Sequence, residues 1–154
     1  MIVEVGKKLP AFALPRSDGT LWTSSDFAGS RLVLYFYPKD MTPGCTLEGR
    51  DFRDLHAAFK RAKTTVLGVS KDSCERHAKF RAKESFPFEL LADEDEKVCR
   101  LFDVIREKSL YGRKFMGIER STFLFDAGGK LAREWRKVRV KGHAAEVLEA
   151  AKAL

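Results

Sequence analysis

Residues 32–37 read Leu32-Val33-Leu34-Tyr35-Phe36-Tyr37, six apolar or aromatic side chains without a break. Successive side chains of a strand point to opposite faces, so a run with no polar alternate is a strand covered on both sides. A chain that contains it must supply one layer above a sheet and another below it. The following sequence provides both. Phe52, Leu55, Phe59 and Ala62 recur at spacings of 3, 4 and 3, which is one face of a helix. Thr65-Val66-Leu67-Gly68-Val69 is a second buried strand. Asp72 and Ser73 are helix-capping types with Glu75 in the first turn, so a helix is expected over 73–83.

The rest of the chain continues the alternation. A short strand is expected over 88–91 and a helix near 96–102. Residues 12–14 and 20–23 flank Arg16-Ser17-Asp18-Gly19, and 121–125 and 130–135 flank Asp126-Ala127-Gly128-Gly129. Both read as hairpins around Gly-containing turns. Residues 143–153, rich in alanine with Val147 and Leu148, close the chain as a helix. The order hairpin, β-α-β-α-β-α, hairpin, α defines an α/β protein with a central mixed sheet flanked by helices. It is the order of an elaborated thioredoxin-like fold with an N-terminal hairpin extension.

At 154 residues, without repeat or linker, the chain is expected to form one domain over 1–154. With 44% hydrophobic and 33% charged residues it is too apolar for a disordered chain and too charged for a membrane one. The start, Met1-Ile2-Val3-Glu4-Val5-Gly6-Lys7-Lys8, lacks the basic-then-apolar pattern of a signal peptide. Three scattered cysteines form neither a disulfide framework nor a zinc pattern, so a reducing, cytoplasmic setting is expected. The net charge of +7 is concentrated in 130–141, where six basic residues oppose Glu134 alone. That stretch reads as a solvated strand face. No nucleic-acid motif accompanies it, and neither nucleic acid nor membrane is expected as a partner. His56, His77 and His143 are scattered without ligand spacing, so no metal or other cofactor is expected.

The chemistry concentrates after the first buried strand, in Pro38-Lys39-Asp40-Met41-Thr42-Pro43-Gly44-Cys45-Thr46-Leu47-Glu48. Thr42 is an N-cap type and Pro43 suits the first helical position, which places Cys45 in the first turn. Helix N-termini carry unpaired amides and partial positive charge, which favours a thiolate over a thiol. Cys45 is therefore a candidate nucleophile. The same residue type also serves as a small buried hydrophobe, and spacing alone leaves both readings open.

Thr42-Pro43-Gly44-Cys45-Thr46 after Tyr35-Phe36-Tyr37-Pro38-Lys39 resembles the peroxidatic motif of the peroxiredoxins, most closely the peroxiredoxin Q group, also called bacterioferritin comigratory protein. The resemblance also covers Asp26-Phe27-Ala28-Gly29, Leu67-Gly68-Val69-Ser70-Lys71-Asp72-Ser73, Asp93-Glu94-Asp95, Glu107-Lys108-Ser109-Leu110-Tyr111-Gly112 and Gly117-Ile118-Glu119-Arg120-Ser121-Thr122-Phe123-Leu124. It implies a thiol peroxidase acting on hydrogen peroxide and organic hydroperoxides, in antioxidant defence and redox homeostasis, with loops such as 109–117 setting the preference between the two peroxides. Cys45 would be the peroxidatic cysteine that becomes a sulfenic acid. Thr42 would orient the peroxide and hydrogen-bond Cys45, and Pro43 would shield the sulfur. The amides of Gly44 and Cys45 would form an oxyanion site, and Arg120 would bring a fixed cation beside the sulfur. Glu48 is left open between pairing with a basic group and a first-turn acid. Relatives of this group are commonly monomeric.

The sequence departs from the pattern at the resolving step. The two usual positions for a second cysteine hold Arg50 and Arg81. Cys74 precedes Arg81 by two helical turns on the same face, which makes it a candidate displaced resolver. Cys99, among Val98, Leu101 and Phe102, reads as packing. Without a resolver, an external thiol must reduce Cys45, with thioredoxin, glutaredoxin or glutathione as reductant. Arg50 and Arg81 are then candidates to attract an acidic one. The competing reading is a basic binding or holdase module on the same fold, without peroxidase turnover. A thiol–disulfide exchange protein is disfavoured because Cys45 has no partner three residues away.

Overall fold

The computed structural model describes residues 3–26 and 29–154, so Phe27 and Ala28 of the resemblance lie outside the described residues. The run at 32–37 forms β3 (Arg31–Phe36), after the hairpin β1 (Ala13–Pro15) and β2 (Leu21–Thr23). Then come α1 (Pro43–Asp54), α2 (His56–Arg61), β4 (Thr64–Ser70), α3 (Cys74–Glu84), β5 (Glu89–Ala92) and α4 (Lys97–Leu101). The chain closes with β6 (Ile105–Leu110), β7 (Arg113–Ile118), β8 (Ser121–Phe125), β9 (Leu131–Trp135) and α5 (His143–Lys152). The central sheet has five strands in the order β5-β4-β3-β8-β9. β3 pairs parallel with β4 and antiparallel with β8. It is the middle strand, which is why its sequence has no polar alternate.

The alternation of β3 divides the interior in two. Leu32, Leu34 and Phe36 face a core completed by Leu14 and Trp22 of the hairpin, Val98 and Cys99 of α4, and Phe102. Val33, Tyr35 and Tyr37 face the other core, filled by Phe52 of α1, Phe59 of α2, Phe80 of α3 and Val147 and Leu148 of α5. Tyr35 stacks on Phe52 with ring centroids 4.7 Å apart. This seats α1, and with it Cys45, on the middle strand.

Two expectations are corrected. The stripe from Phe52 to Ala62 is carried by two helices that break at Leu55 (φ −99°, ψ 5°), although Phe52 and Phe59 still share one core. The segment 109–117, read as a loop, belongs to the β6–β7 hairpin. Its turn, Tyr111-Gly112, has both residues at positive φ (51° and 77°), the backbone of a tight two-residue hairpin. The hairpin leaves no strand pattern in the sequence because most of it is exposed (Tyr111 is 97% exposed) and shows no buried alternation. No helix among the described residues is long and apolar enough to cross a membrane.

Candidate active site

α1 begins at Pro43 with Thr42 as N-cap in extended backbone. Its ladder starts where the Thr46 amide donates to the Thr42 carbonyl, at 2.9 Å. The amides of Gly44 and Cys45 precede that bond, in the turn where helical donors lack helical acceptors. Cys45 is the third residue of the helix and is only 2% exposed.

Arg120 reaches this turn from the start of β8. Its Nη2 donates to Cys45 Sγ at 3.4 Å, and its Nη1 donates to Glu48 Oε1 at 2.6 Å. One planar fork thus spans the sulfur and a carboxylate one turn apart on α1. Gly44 leaves room for the guanidinium to come this close. A Cβ there would stand 3.1 Å from Arg120 Nη2. Burial weakens the Arg120 charge, but the Glu48 and Cys45 charges outweigh it and raise its pKa above the ordinary arginine value. The guanidinium is a permanent cation against the sulfur.

Glu48, left open in the sequence, pairs with Arg120. It is 1% exposed, and its Oε2 has no hydrogen-bond partner among the described residues. Burial pushes its pKa up to about 7, against the opposing pull of Arg120. Its signal in the sequence was its place one turn after Cys45. Lys108 of β6 completes the surroundings. Burial lowers its pKa, the Arg120 charge lowers it further and the Cys45 charge opposes the change, so Lys108 on the β6–β7 hairpin is within reach of the site's charges.

Thr42 is where expected, but its hydroxyl donates to the Lys39 carbonyl at 2.8 Å rather than to Cys45. Its proton is committed within the loop, while its oxygen retains acceptor capacity. Pro43 is exposed at the head of α1.

The arginines at the usual resolving positions are structural. Arg50 Nε donates to Glu84 Oε1 at 2.6 Å, tying α1 to the end of α3. Arg81 donates to the Phe88 and Phe86 carbonyls, to Ser17 Oγ and to Glu89 Oε2. Both charges have internal partners, which removes the argument that they attract an acidic reductant. Cys74 is the first residue of α3 and half-buried. Burial pushes its thiol up, and the Glu94 charge adds to the rise. Cys99 lies in the core of α4 at 0% exposure.

The arrangement sets a cation against a buried sulfur in the first turn of a helix, chemistry that suits a nucleophilic thiol. The AhpC/TSA family model matches residues 5–134. Peroxiredoxin Bcp of Bacillus subtilis is 50% identical over 152 residues, covering 99% of this chain and 97% of that one. The crystal structure of a PrxQ mutant from Xylella fastidiosa superposes with a TM-score of 0.93 at 45% identity, covering 98% and 96% of the two chains. A Xanthomonas campestris bacterioferritin comigratory protein, in a study of its alkyl peroxide reduction activity, superposes with a TM-score of 0.87 at 52% identity, covering 92% and 90%. The chain belongs to the AhpC/TSA family, as a peroxiredoxin of the Q or bacterioferritin comigratory protein group, whose members are thiol-dependent peroxidases.

Proposed function

We propose that this chain is a thiol-dependent peroxidase in which Cys45 attacks hydrogen peroxide and organic hydroperoxides. The observation that carries the reading is the 3.4 Å contact of Arg120 Nη2 with a buried sulfur in the first turn of a helix. The Cys45 thiolate attacks the terminal oxygen of ROOH. A sulfur–oxygen bond forms, the O–O bond breaks, and its electron pair leaves as RO⁻, which takes up a proton and departs as ROH. Cys45 is oxidised to a sulfenic acid. The Arg120 fork and the amides of Gly44 and Cys45 stabilise the charge moving onto the leaving oxygen. Thr42 orients the peroxide through its free acceptor capacity, and Pro43 covers the turn from solvent.

Lys108 pairs in register with Phe115, and Phe115 and Met116 are exposed. Phe115 therefore puts an apolar ring on the same face of the hairpin as Lys108, which supports organic hydroperoxides as substrates beside hydrogen peroxide.

An external thiol closes the cycle. Its sulfur displaces water from the sulfenic acid to give a mixed disulfide, and a second thiol releases Cys45. Thioredoxin, glutaredoxin or glutathione supplies these electrons. Cys74 is held as a thiol by burial and Glu94, which speaks against it as the resolver. The binding-module reading is disfavoured because it gives the Cys45–Arg120–Glu48 arrangement no purpose. A reducing compartment fits the three free thiols. Stoichiometric oxidation tests the reading. Wild type treated with one equivalent of hydrogen peroxide consumes it, and Cys45→Ser does not; equal consumption by both would end it.

A further inference from the structure

Three buried polar groups outside the reacting set meet just before Cys45. Asp40 is 1% exposed and His77 is 0% exposed. Tyr37, the residue after β3, donates its hydroxyl to Asp40 Oδ1 at 2.6 Å. His77 Nδ1 lies 2.7 Å from Asp40 Oδ2, and its Nε2 lies 2.9 Å from the Leu91 carbonyl of β5. A carbonyl only accepts, so Nε2 donates, and one proton is held between Nδ1 and the carboxylate. Burial and the Asp40 charge raise the Tyr37 pKa well above the ordinary tyrosine value, so its hydroxyl remains a donor.

The backbone of Asp40 is held as well. Its amide donates to Asp72 Oδ2 at 2.9 Å, and its carbonyl accepts from Arg76 Nη2 at 3.3 Å. Every polar group of Asp40 is therefore engaged. The next residue, Met41, sits at φ 63°, a left-handed conformation unfavourable for a side chain of its size. Thr42, Pro43, Gly44 and Cys45 follow directly. The strained residue keeps its conformation because the chain is pinned on one side by Asp40 and on the other by α1.

We propose that Tyr37, Asp40 and His77 are positioning residues that latch the Cys45 loop in its closed, peroxide-reactive form. This rests on the assignment of Cys45 as the peroxidatic residue. Release of Asp40 frees Met41 to leave the left-handed region and loosens the turn that presents Cys45 to Arg120. His77 is three residues after Cys74 on α3, so the latch joins the peroxidatic loop to α3 and, through Leu91, to the sheet.

The test is maleimide labelling of the reduced full-length protein, quantified separately at Cys45 and Cys99, beside the rate of Cys45 oxidation by hydrogen peroxide. Cys99 is the internal control, because global unfolding exposes both cysteines and opening of the latch exposes Cys45 alone. His77→Ala is expected to raise Cys45 labelling and lower the peroxide rate by about 10-fold each, with Cys99 labelling unchanged. Tyr37→Phe keeps the ring and deletes one oxygen, so it reports even where His77→Ala does not fold. It is expected to give the same two changes in smaller measure. Labelling of Cys45 and Cys99 that rises together, or a Cys45 labelling and peroxide rate that both stay within about twofold of wild type in the folded variants, overturns the proposal. The labelling arm uses no peroxide. A wild type that leaves Cys45 unoxidised by peroxide therefore overturns the peroxidase reading separately.

Discussion

Cys45 and Cys99 occupy the same place in two helices. Each is the third residue, of α1 and α4 respectively, and they are 2% and 0% exposed. Their surroundings have opposite sign. At α4 the Asp93 carboxylate accepts the amides of Val98 and Cys99, at 3.1 and 2.7 Å. The helix N-terminus already holds its anion there, and burial followed by the Asp93 charge drives the Cys99 thiol far above its ordinary value. At α1 the N-cap Thr42 makes no side-chain cap hydrogen bond among the described residues, and a guanidinium lies against the sulfur. A helix N-terminus and burial are common to both sites, so they do not distinguish a nucleophile from a core residue. The second charge does.

That contrast can be broken by substitution. The largest effect is expected from Cys45→Ser, which should reduce peroxide consumption to background while the melting profile stays cooperative. Cys99→Ser should keep its rate within about twofold, since it removes a packed thiol and no reacting atom. Arg120→Met should follow, with a loss of about 10²–10³-fold in the second-order rate with hydrogen peroxide, the range for removal of an oxyanion donor. Arg120→Lys should recover only part of it, because an ammonium cannot span Cys45 and Glu48 together.

Gly44→Ala should cost roughly 10-fold in the same assay, by displacing the guanidinium that a new Cβ would meet at 3.1 Å. Cys74→Ser should leave turnover with an external thiol unchanged, and peroxide-treated wild type and variant should both show an added oxygen by intact mass. Loss of two hydrogens in wild type alone would make Cys74 the resolver.

The smallest effect concerns Glu48 and stability. Burial raises its pKa in the fold to about 7 from an ordinary 4.5, so the folded state favours the neutral form. Its contribution is full below about pH 4.5 and is lost as pH rises through 7. Chemical denaturation across that window should therefore show a shallower loss of stability in Glu48→Gln than in wild type.

Much of this was legible in the chain. The unbroken run at 32–37 required a strand covered twice, and β3 is the middle strand of the sheet. The capping types Thr42 and Ser73 marked the helices that begin at Pro43 and Cys74. Cys45 stood out by its position, and Arg120 only through the motif around it, since a lone arginine at a strand start carries no signal. The β6–β7 hairpin went unread because its side chains face solvent and impose no period. The Glu48–Arg120 pair joins residues 72 apart, and the Asp40–His77 pair residues 37 apart. Such pairs form only when the sheet brings their elements together.

The central claim is that the charge beside the sulfur, rather than burial or helix position, selects Cys45 for oxidation. Its most direct test is dimedone trapping of the reduced protein at one equivalent of hydrogen peroxide, with the labelled cysteine identified by peptide mass. The sulfenic-acid adduct should appear on Cys45, be absent from Cys99, and fall sharply in Arg120→Met. An adduct on Cys99, or full labelling of Cys45 at wild-type speed without the Arg120 guanidinium, would contradict the account.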